Sequence, residues 1–175
     1  MGAGTWCEGN FMSENLHQAC LLLGSNIEPE VNLPRAVELL RHQVNLLRCS
    51  SVWQSVSVEC CYPDYLNLAL LVTTPLSAGD LKQQVLRPLE ARMGRVRTED
   101  KNAARPIDLD EILFDGELLD PALSEHAHIA VTISELIPDY RLPSGEALKV
   151  VACRLAQSTP IQLRPDVKIS LPSGN

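Results

Sequence analysis

Two aspartates, Asp108 and Asp110, stand two positions apart in a short apolar segment of this 175-residue chain. Residues i and i+2 of a strand point to the same face, and a rise of roughly 3.3 Å per residue places these carboxylates about 7 Å apart. Such a pair suits a hard cation. Mg2+ commonly takes one or two protein carboxylates, while water and phosphate oxygens fill its other positions. The pair therefore predicts a magnesium and phosphate site.

Three arginines precede the aspartates within eleven residues: Arg95, Arg97 and Arg105. Guanidinium groups bind phosphate oxygens in pairs and stabilise the charge that develops during phosphoryl transfer. A solvated strand edge beside an ordinary charged loop would explain the same residues without any chemistry. The clustering of the arginines next to the aspartates favours the phosphate site over that alternative.

Alternating strand and helix patterns are predicted to position these side chains. The predicted strands are residues 19–24, 46–54, 65–73 and 107–114. A helix opens at Pro29 or Asn32, and a second extends from an N-cap at Ser77 to Gly94. The order βαββαβ is that of an α+β ferredoxin-like fold, an antiparallel sheet with two helices packed on one face.

The C-terminal third carries weaker signals. Residues 132–137 are predicted to form a short helical turn, and residues 146–155 a last helix or strand. One domain is predicted over residues 19–156, with a mobile polar tail at 1–18 and a polar, proline-rich tail at 157–175.

The charge balance favours small-molecule partners. Net charge is −7, which argues against nucleic acid and against an acidic membrane surface. Six of the fifteen basic residues nevertheless fall between Arg87 and Arg105, as expected for a cluster that binds a small anion. The sequence predicts no particular oligomeric state.

Six cysteines without a C-x-x-C pair indicate reduced thiols rather than zinc ligands or a disulfide framework. The chain has no apolar run long enough to span a bilayer, and residues 1–18 lack a signal-peptide pattern. These features predict a cytoplasmic protein.

The segment from Lys101 to Asp110 resembles the signature of the hydroxymethyl-dihydropterin pyrophosphokinases of folate synthesis, which ends in R-x-x-D-aliphatic-D. Three more elements occur in the order of that family. They are Gly24-Ser25-Asn26 after the first strand, Pro63-Asp64-Tyr65-Leu66-Asn67 at the third, and Glu90-x-x-x-Gly94-Arg95-x-Arg97. A later I-S-E-L-I-P at 133–138 also resembles the family.

The resemblance implies transfer of pyrophosphate from ATP to 6-hydroxymethyl-7,8-dihydropterin, with AMP leaving. By that resemblance Asp108 and Asp110 hold two Mg2+ ions, and Arg95 and Arg97 lie on a catalytic loop. The implied ATP-binding residues are Glu90, Arg95, Arg97, Arg105, His126 and His128. The implied pterin-binding residues are Gly24, Ser25, Asn26, Tyr65 and Asn67. By the resemblance, Tyr65 would stack on the pterin ring and Asn67 would hydrogen-bond the edge of that ring. The alternatives are that Tyr65 is an ordinary strand residue and that Asn67 makes a local turn contact.

Four positions depart from the family pattern. Glu111 replaces an aliphatic residue, so its carboxylate either reaches solvent or alters the nucleotide pocket. Residues 55–62 lack the usual proline- and glycine-containing run. An Arg-x-Phe that supplies a second wall of the pterin pocket is absent, although His126 and His128 are present. Asn102 stands where many relatives have tryptophan.

These departures leave two alternatives beside the leading hypothesis. One is an enzyme that acts on a modified pterin or another small alcohol. The other is a ferredoxin-like module that binds nucleotide without turnover.

Overall fold

A computed structural model describes residues 16–56, 63–96 and 103–170 of the chain. Its strands are β1 (His17–Ser25), β2 (Asn45–Cys49), β3 (Trp53–Ser55), β4 (Tyr65–Thr74), β5 (Asp108–Phe114), β6 (Glu117–Leu118) and β7 (Ile161–Leu163). Its helices are α1 (Pro29–Leu40), α2, α3 (Ala127–Ser134) and α4 (Leu148–Ser158), with a 3-10 turn at Pro121–Ser124. Helix α2 has three consecutive parts: Ala78–Asp80, a π-helical Leu81–Leu86 and Arg87–Arg92.

The strands form one antiparallel sheet in the order β6-β5-β1-β4-β3-β7, and β2 also pairs with β4. β1 and β4 are buried along almost their whole length. A strand that is apolar on both faces must be covered on both faces. The sheet is therefore the middle layer of three.

Helices α1 and α2 cover one face of the sheet, where Leu21, Leu33 and Leu89 belong to the first hydrophobic core. Helices α3 and α4 cover the other, where Ala69 and Ile133 belong to the second. The α+β antiparallel fold predicted from the sequence is confirmed. Two helices on one face were expected, and the structure adds a second helical layer because α3 and α4 bury the opposite side.

The second predicted strand, 46–54, is divided into β2 and β3, which both pair with β4. Ser50 lies between them, where its hydroxyl accepts a hydrogen bond from the Ala69 N–H at 2.8 Å. The start of α2 agrees with the prediction, since the Ser77 side chain accepts from the Asp80 N–H. Gly94 follows the helix with a φ of 89°, a left-handed conformation that glycine adopts without strain.

The C-terminal part is more ordered than its polar composition indicated. The helical turn expected at 132–137 overlaps the end of helix α3, which begins earlier at Ala127 and ends at Ser134, and the segment expected at 146–155 overlaps helix α4. Part of the expected C-terminal tail forms β7, which pairs with β3 and is the edge strand on that side of the sheet, and Val167 and Ile169 pack on the first core. A short strand of this kind is stabilised by pairing with the free edge of a sheet, and no local sequence pattern indicates that such an edge is nearby.

At the other end of the chain, His17 and Gln18 from the expected N-terminal tail are the first residues of β1, and residues 1–15 lie outside the described residues. No helix within the described ranges is long and apolar enough to cross a membrane.

Candidate active site

A cavity of about 300 Å3 opens at one end of the sheet, on the face that α3 and α4 cover. Strands β1, β3, β4 and β5 supply its floor, and residues around the start of α3 and before β7 supply its sides. Eight of the residues implied as site residues line it: Gly24, Tyr65, Asn67, Arg105, Asp108, Asp110, His126 and His128.

Asp108 and Asp110 project into this cavity from β5. Asp108 pairs with Gly24 and Asp110 with Leu22 in the register of β1 and β5, and all four residues line the cavity. Asp108 also accepts hydrogen bonds from two arginines, from Arg95 and from Arg105 Nη1, the latter at 2.7 Å. The sequence spacing thus places both carboxylates on one face.

Asp110 has a different environment from Asp108. Part of its side chain meets solvent, but burial in the concave cavity, together with the charge of Asp108, raises the pKa of Asp110 to about 6. Asp110 pairs with Leu22 through the backbone ladder, but within the described residues its carboxylate takes part in no hydrogen bond or ion pair. Two carboxylates, one of them unpaired and facing a cavity, fit a hard divalent cation that also binds phosphate and water. The residues therefore fit Mg2+.

Glu90 lies behind the dyad rather than in the cavity. It is only 3% exposed, and its Oε1 accepts from Arg95 and from the Leu109 N–H, the latter at 2.9 Å. Arg95 consequently bridges Glu90 on α2 and Asp108 on β5. Glu90 is thus placed to orient Arg95 and β5, and its expected part in positioning a nucleotide would be exerted through them.

The other half of the cavity has an uncharged floor. Gly24, Asn67 and Trp53 lie side by side on β1, β4 and β3. Asn67 donates from Nδ2 to Ser55 Oγ at 2.9 Å, and both residues line the cavity. A methyl group on Gly24 would lie 3.4 Å from Asn67 Oδ1 and 3.7 Å from Tyr65 Cδ1, so the glycine keeps this floor low.

Tyr65 stands beside this floor. Burial raises the pKa of its hydroxyl, an effect that nearby Arg105 opposes. The tyrosine is therefore uncharged at neutral pH, and its ring is available for stacking.

Ser25 and Asn26 are buried beneath the cavity and do not line it. The Asn26 side chain accepts from the Arg105 N–H at 2.7 Å and donates to the Pro63 carbonyl at 3.3 Å. It therefore connects the segments that carry Arg105 and Tyr65. Its place is that of a positioning residue rather than a ligand contact.

His126 and His128 flank the cavity at the start of α3, with ring centroids 5.7 Å apart. Burial, with a smaller contribution from His126, lowers the pKa of His128 to about 4. His128 is therefore neutral at physiological pH. It can exchange hydrogen bonds with a ligand but offers no positive charge to a phosphate.

Glu111 is largely buried rather than reaching solvent, and it is not among the residues that line the cavity. It pairs with Leu21, faces α2 and is 8% exposed. Among the residues that the structure describes, its Oε1 is buried without a hydrogen-bond partner, and burial raises the pKa of its carboxyl.

Three cavity residues had no signal in the sequence: Thr159, Pro160 and Ile161. They lie between the end of α4 and the start of the edge strand β7, in a segment with no recognised motif. Arg97, Asn102 and residues 57–62, on which the sequence also made predictions, lie outside the described residues.

Comparison with known families gives one match for most of the chain. The family model described as 7,8-dihydro-6-hydroxymethylpterin-pyrophosphokinase (HPPK) matches residues 20–138. Two curated relatives carry the name 2-amino-4-hydroxy-6-hydroxymethyldihydropteridine pyrophosphokinase. The one from Synechocystis sp. is 31% identical over 147 residues, which is 77% of this chain and 74% of the relative. The one from Pseudomonas aeruginosa is 30% identical over 145 residues, 76% of this chain and 88% of the relative.

Solved structures agree on the fold. The wild-type HPPK-DHPS of Plasmodium falciparum has a TM-score of 0.66 at 11% identity, covering 84% of this chain and 46% of that one. The chain thus spans about half the length of that protein. At such low identity the likeness concerns the fold alone.

Proposed function

The chain belongs to the 7,8-dihydro-6-hydroxymethylpterin pyrophosphokinase family, and from this premise we propose how its cavity carries out the family reaction. That reaction is the ATP-dependent transfer of pyrophosphate to hydroxymethyldihydropterin in folate biosynthesis. The hydroxymethyl oxygen attacks the β-phosphorus of ATP, AMP leaves, and the pterin diphosphate is formed. ATP and the pterin are the two substrates.

Asp108 and Asp110 are the proposed ligands of two Mg2+ ions. The support is their common face on β5, their oxygen chemistry and the unpaired state of Asp110 within the described residues. When bound, Mg2+ neutralises phosphate charge and orients the reacting oxygens. The backbone of β5 fixes where both aspartates start, and the Asp108 carboxylate is also held by Arg95 and Arg105.

Arg95 and Arg105 are the proposed phosphate-binding residues, and we extend the proposal to Arg97 from the resemblance alone. Arg95 and Arg105 both pair with Asp108. A triphosphate carries more negative charge than one carboxylate, so it should attract both guanidinium groups more strongly than Asp108 does. Ala127 and His128 also place the start of α3 at the cavity, where the helix end favours anions.

Tyr65 and Asn67 are the proposed pterin-binding residues, with Gly24 beneath the ring. The neutral phenol ring offers a stacking face, and the amide offers hydrogen-bonding groups for a ring edge. Carboxylates, arginine and this uncharged floor share one cavity, and that observation carries the proposal. A nucleotide site and a flat heterocycle site would meet there without a covalent protein intermediate.

A cytoplasmic setting is part of the proposal. Burial raises the pKa of Cys20 and Cys49 to about 12, which keeps both as thiols. The net charge of −7 favours small-molecule substrates over nucleic acid.

Chromatographic detection of AMP tests the proposed function. The purified chain with ATP, Mg2+ and 6-hydroxymethyl-7,8-dihydropterin should release AMP only when the pterin is present, and Asp110→Asn should abolish most of that release. ATP binding without AMP would instead support a nucleotide-binding module. Turnover only with another pterin would support the modified-substrate alternative.

A further inference from the structure

The segment just after α4 supplies one side of the cavity. Thr159, Pro160 and Ile161 all line it, and Ile161 is the first residue of β7. These residues lie beyond 20–138, the range that the family model matches. This side of the cavity is therefore built by a part of the chain to which the family comparison assigns nothing.

The sheet register places Ile161 relative to Tyr65. Ile161 pairs with Ser55 on β3, and Ser55 pairs with Tyr65 on β4. Directly opposed residues of antiparallel strands have side chains on the same face of the sheet. Because neighbouring strands are ~4.8 Å apart, Ile161 stands about 10 Å across the sheet from Tyr65. All three residues line the cavity.

The carboxylates stand on the opposite side of Tyr65. Strand β5 is separated from β4 by β1 alone, and the register places Asp108 opposite Gly24 and Gly24 opposite Asn67, so Asp108 lies two strand spacings, about 10 Å, from Asn67. Tyr65 is two residues from Asn67 along β4, so Asp108 is farther from Tyr65 than from Asn67, and Asp110 is farther still. A substrate whose hydroxymethyl group faces the carboxylates must extend its ring over β1 and β4. Its far edge then points toward β3 and β7, and so toward Ile161.

Contacts outside the cavity hold β7 in place. The Arg164 N–H donates to the Val52 carbonyl at 2.9 Å, and Arg164 Nη1 donates to Gln54 Oε1 at 3.0 Å. Farther along, Val167 and Ile169 pack against the first core. The position of Ile161 is thus fixed independently of any ligand, as a selective pocket wall requires.

We propose that Ile161, supported by Pro160, is a specificity-determining residue that closes the pterin site on the side away from the carboxylates. Its aliphatic side chain limits how far the ring can extend across the sheet and removes water from the far ring edge. This inference rests on the proposed pterin site. It adds that one wall of the pterin site is formed by a residue of the C-terminal strand β7.

Leu163 provides a matched control for Ile161. It lies two residues along the same strand on the same face, is 43% exposed, and does not line the cavity. Ile161→Ala should raise the pterin KM about tenfold, the scale of discrimination that lost apolar contact gives, while the ATP KM stays the same. Leu163→Ala should leave both constants at wild-type values. Ile161→Val should shift the pterin KM in the same direction by less, and it keeps a β-branched residue should the alanine variant not fold.

Steady-state AMP release and equilibrium titration of the pterin, followed by its own fluorescence, give two independent measurements. Absence of pterin-dependent AMP from the wild-type chain would refute the proposed function itself. An active wild type with an unchanged pterin KM and dissociation constant in both Ile161 variants would refute the boundary role alone. An equal rise of the pterin KM in Ile161→Ala and Leu163→Ala would show that β7 has a purely structural part. That result would also overturn the boundary role of Ile161.

Discussion

Adding one methyl group at Gly24 tests whether the pterin ring lies on the cavity floor. The added Cβ of Gly24→Ala would meet Asn67 Oδ1 at 3.4 Å and Tyr65 Cδ1 at 3.7 Å, which are ordinary van der Waals distances. Gly24 sits within β1 and does not have a positive φ. Alanine therefore fits the folded chain, and its smaller unfolded-state entropy favours folding by about 0.4–1 kcal/mol.

Whereas Gly24→Ala favours folding, it should weaken binding of the pterin. The methyl group projects into the cavity between the two residues proposed to hold the pterin. Overpacking of a close contact costs about 1–3 kcal/mol, and each 1.4 kcal/mol is tenfold in affinity, so the pterin KM should rise about 5- to 150-fold. The ATP KM should change much less, because the arginines and carboxylates are untouched.

Gly79→Ala is the matched control. Gly79 lies in the first part of α2, and a Cβ there would meet nothing within 4 Å. Steady-state kinetics with each substrate varied in turn, together with urea unfolding, would measure both effects. A folded Gly24→Ala enzyme with the wild-type pterin KM would show that the ring does not lie over Gly24, and the site would have to be placed elsewhere in the cavity.

Five other substitutions give further expected outcomes. Asp110→Asn should lower turnover by orders of magnitude with little change in unfolding free energy, whereas Asp108→Asn should also destabilise the fold, because it weakens two arginine pairs; near-normal activity in both would contradict the metal role. Tyr65→Ala should raise the pterin KM more than the ATP KM, and equal changes would argue against stacking. The pKa of His128 is lowered to about 4 from its usual 6.5, so the unfolded state binds its proton more readily; the free energy of unfolding should fall between pH 6.5 and 4 by about 3 kcal/mol, and His128→Gln should remove that slope in urea titrations. Glu111→Leu should stabilise the fold by about 1–3 kcal/mol, since it removes a buried unpartnered carboxyl oxygen, and a lower melting temperature would show that this carboxyl has a favourable partner.

Local patterns were sufficient for the first two thirds of the fold. The Ser77 cap, the glycine at 94 and the apolar strands are decided by neighbouring residues, and the observed elements begin and end close to the expected positions. The division of 46–54 was not visible, because it depends on the way Ser50 meets the partner strand β4.

In the candidate site too, features set by neighbouring residues could be predicted from the sequence, and features set by packing could not. The strand spacing of Asp108 and Asp110 places both on one face whatever surrounds them, so their common direction followed from the sequence. The position of Glu90 behind Arg95 did not, since that depends on how α2 packs against β5.

The sequence by itself determined the residue types of the candidate site: two carboxylates, the adjoining arginines, and an aromatic residue with an amide on the preceding strand. These are properties of residue types at short spacing. Only the tertiary structure decided the limits of the site, because its walls come from segments far apart in the chain. Ile161 reaches the cavity by pairing with Ser55, more than one hundred residues earlier, and no local pattern carries such a contact.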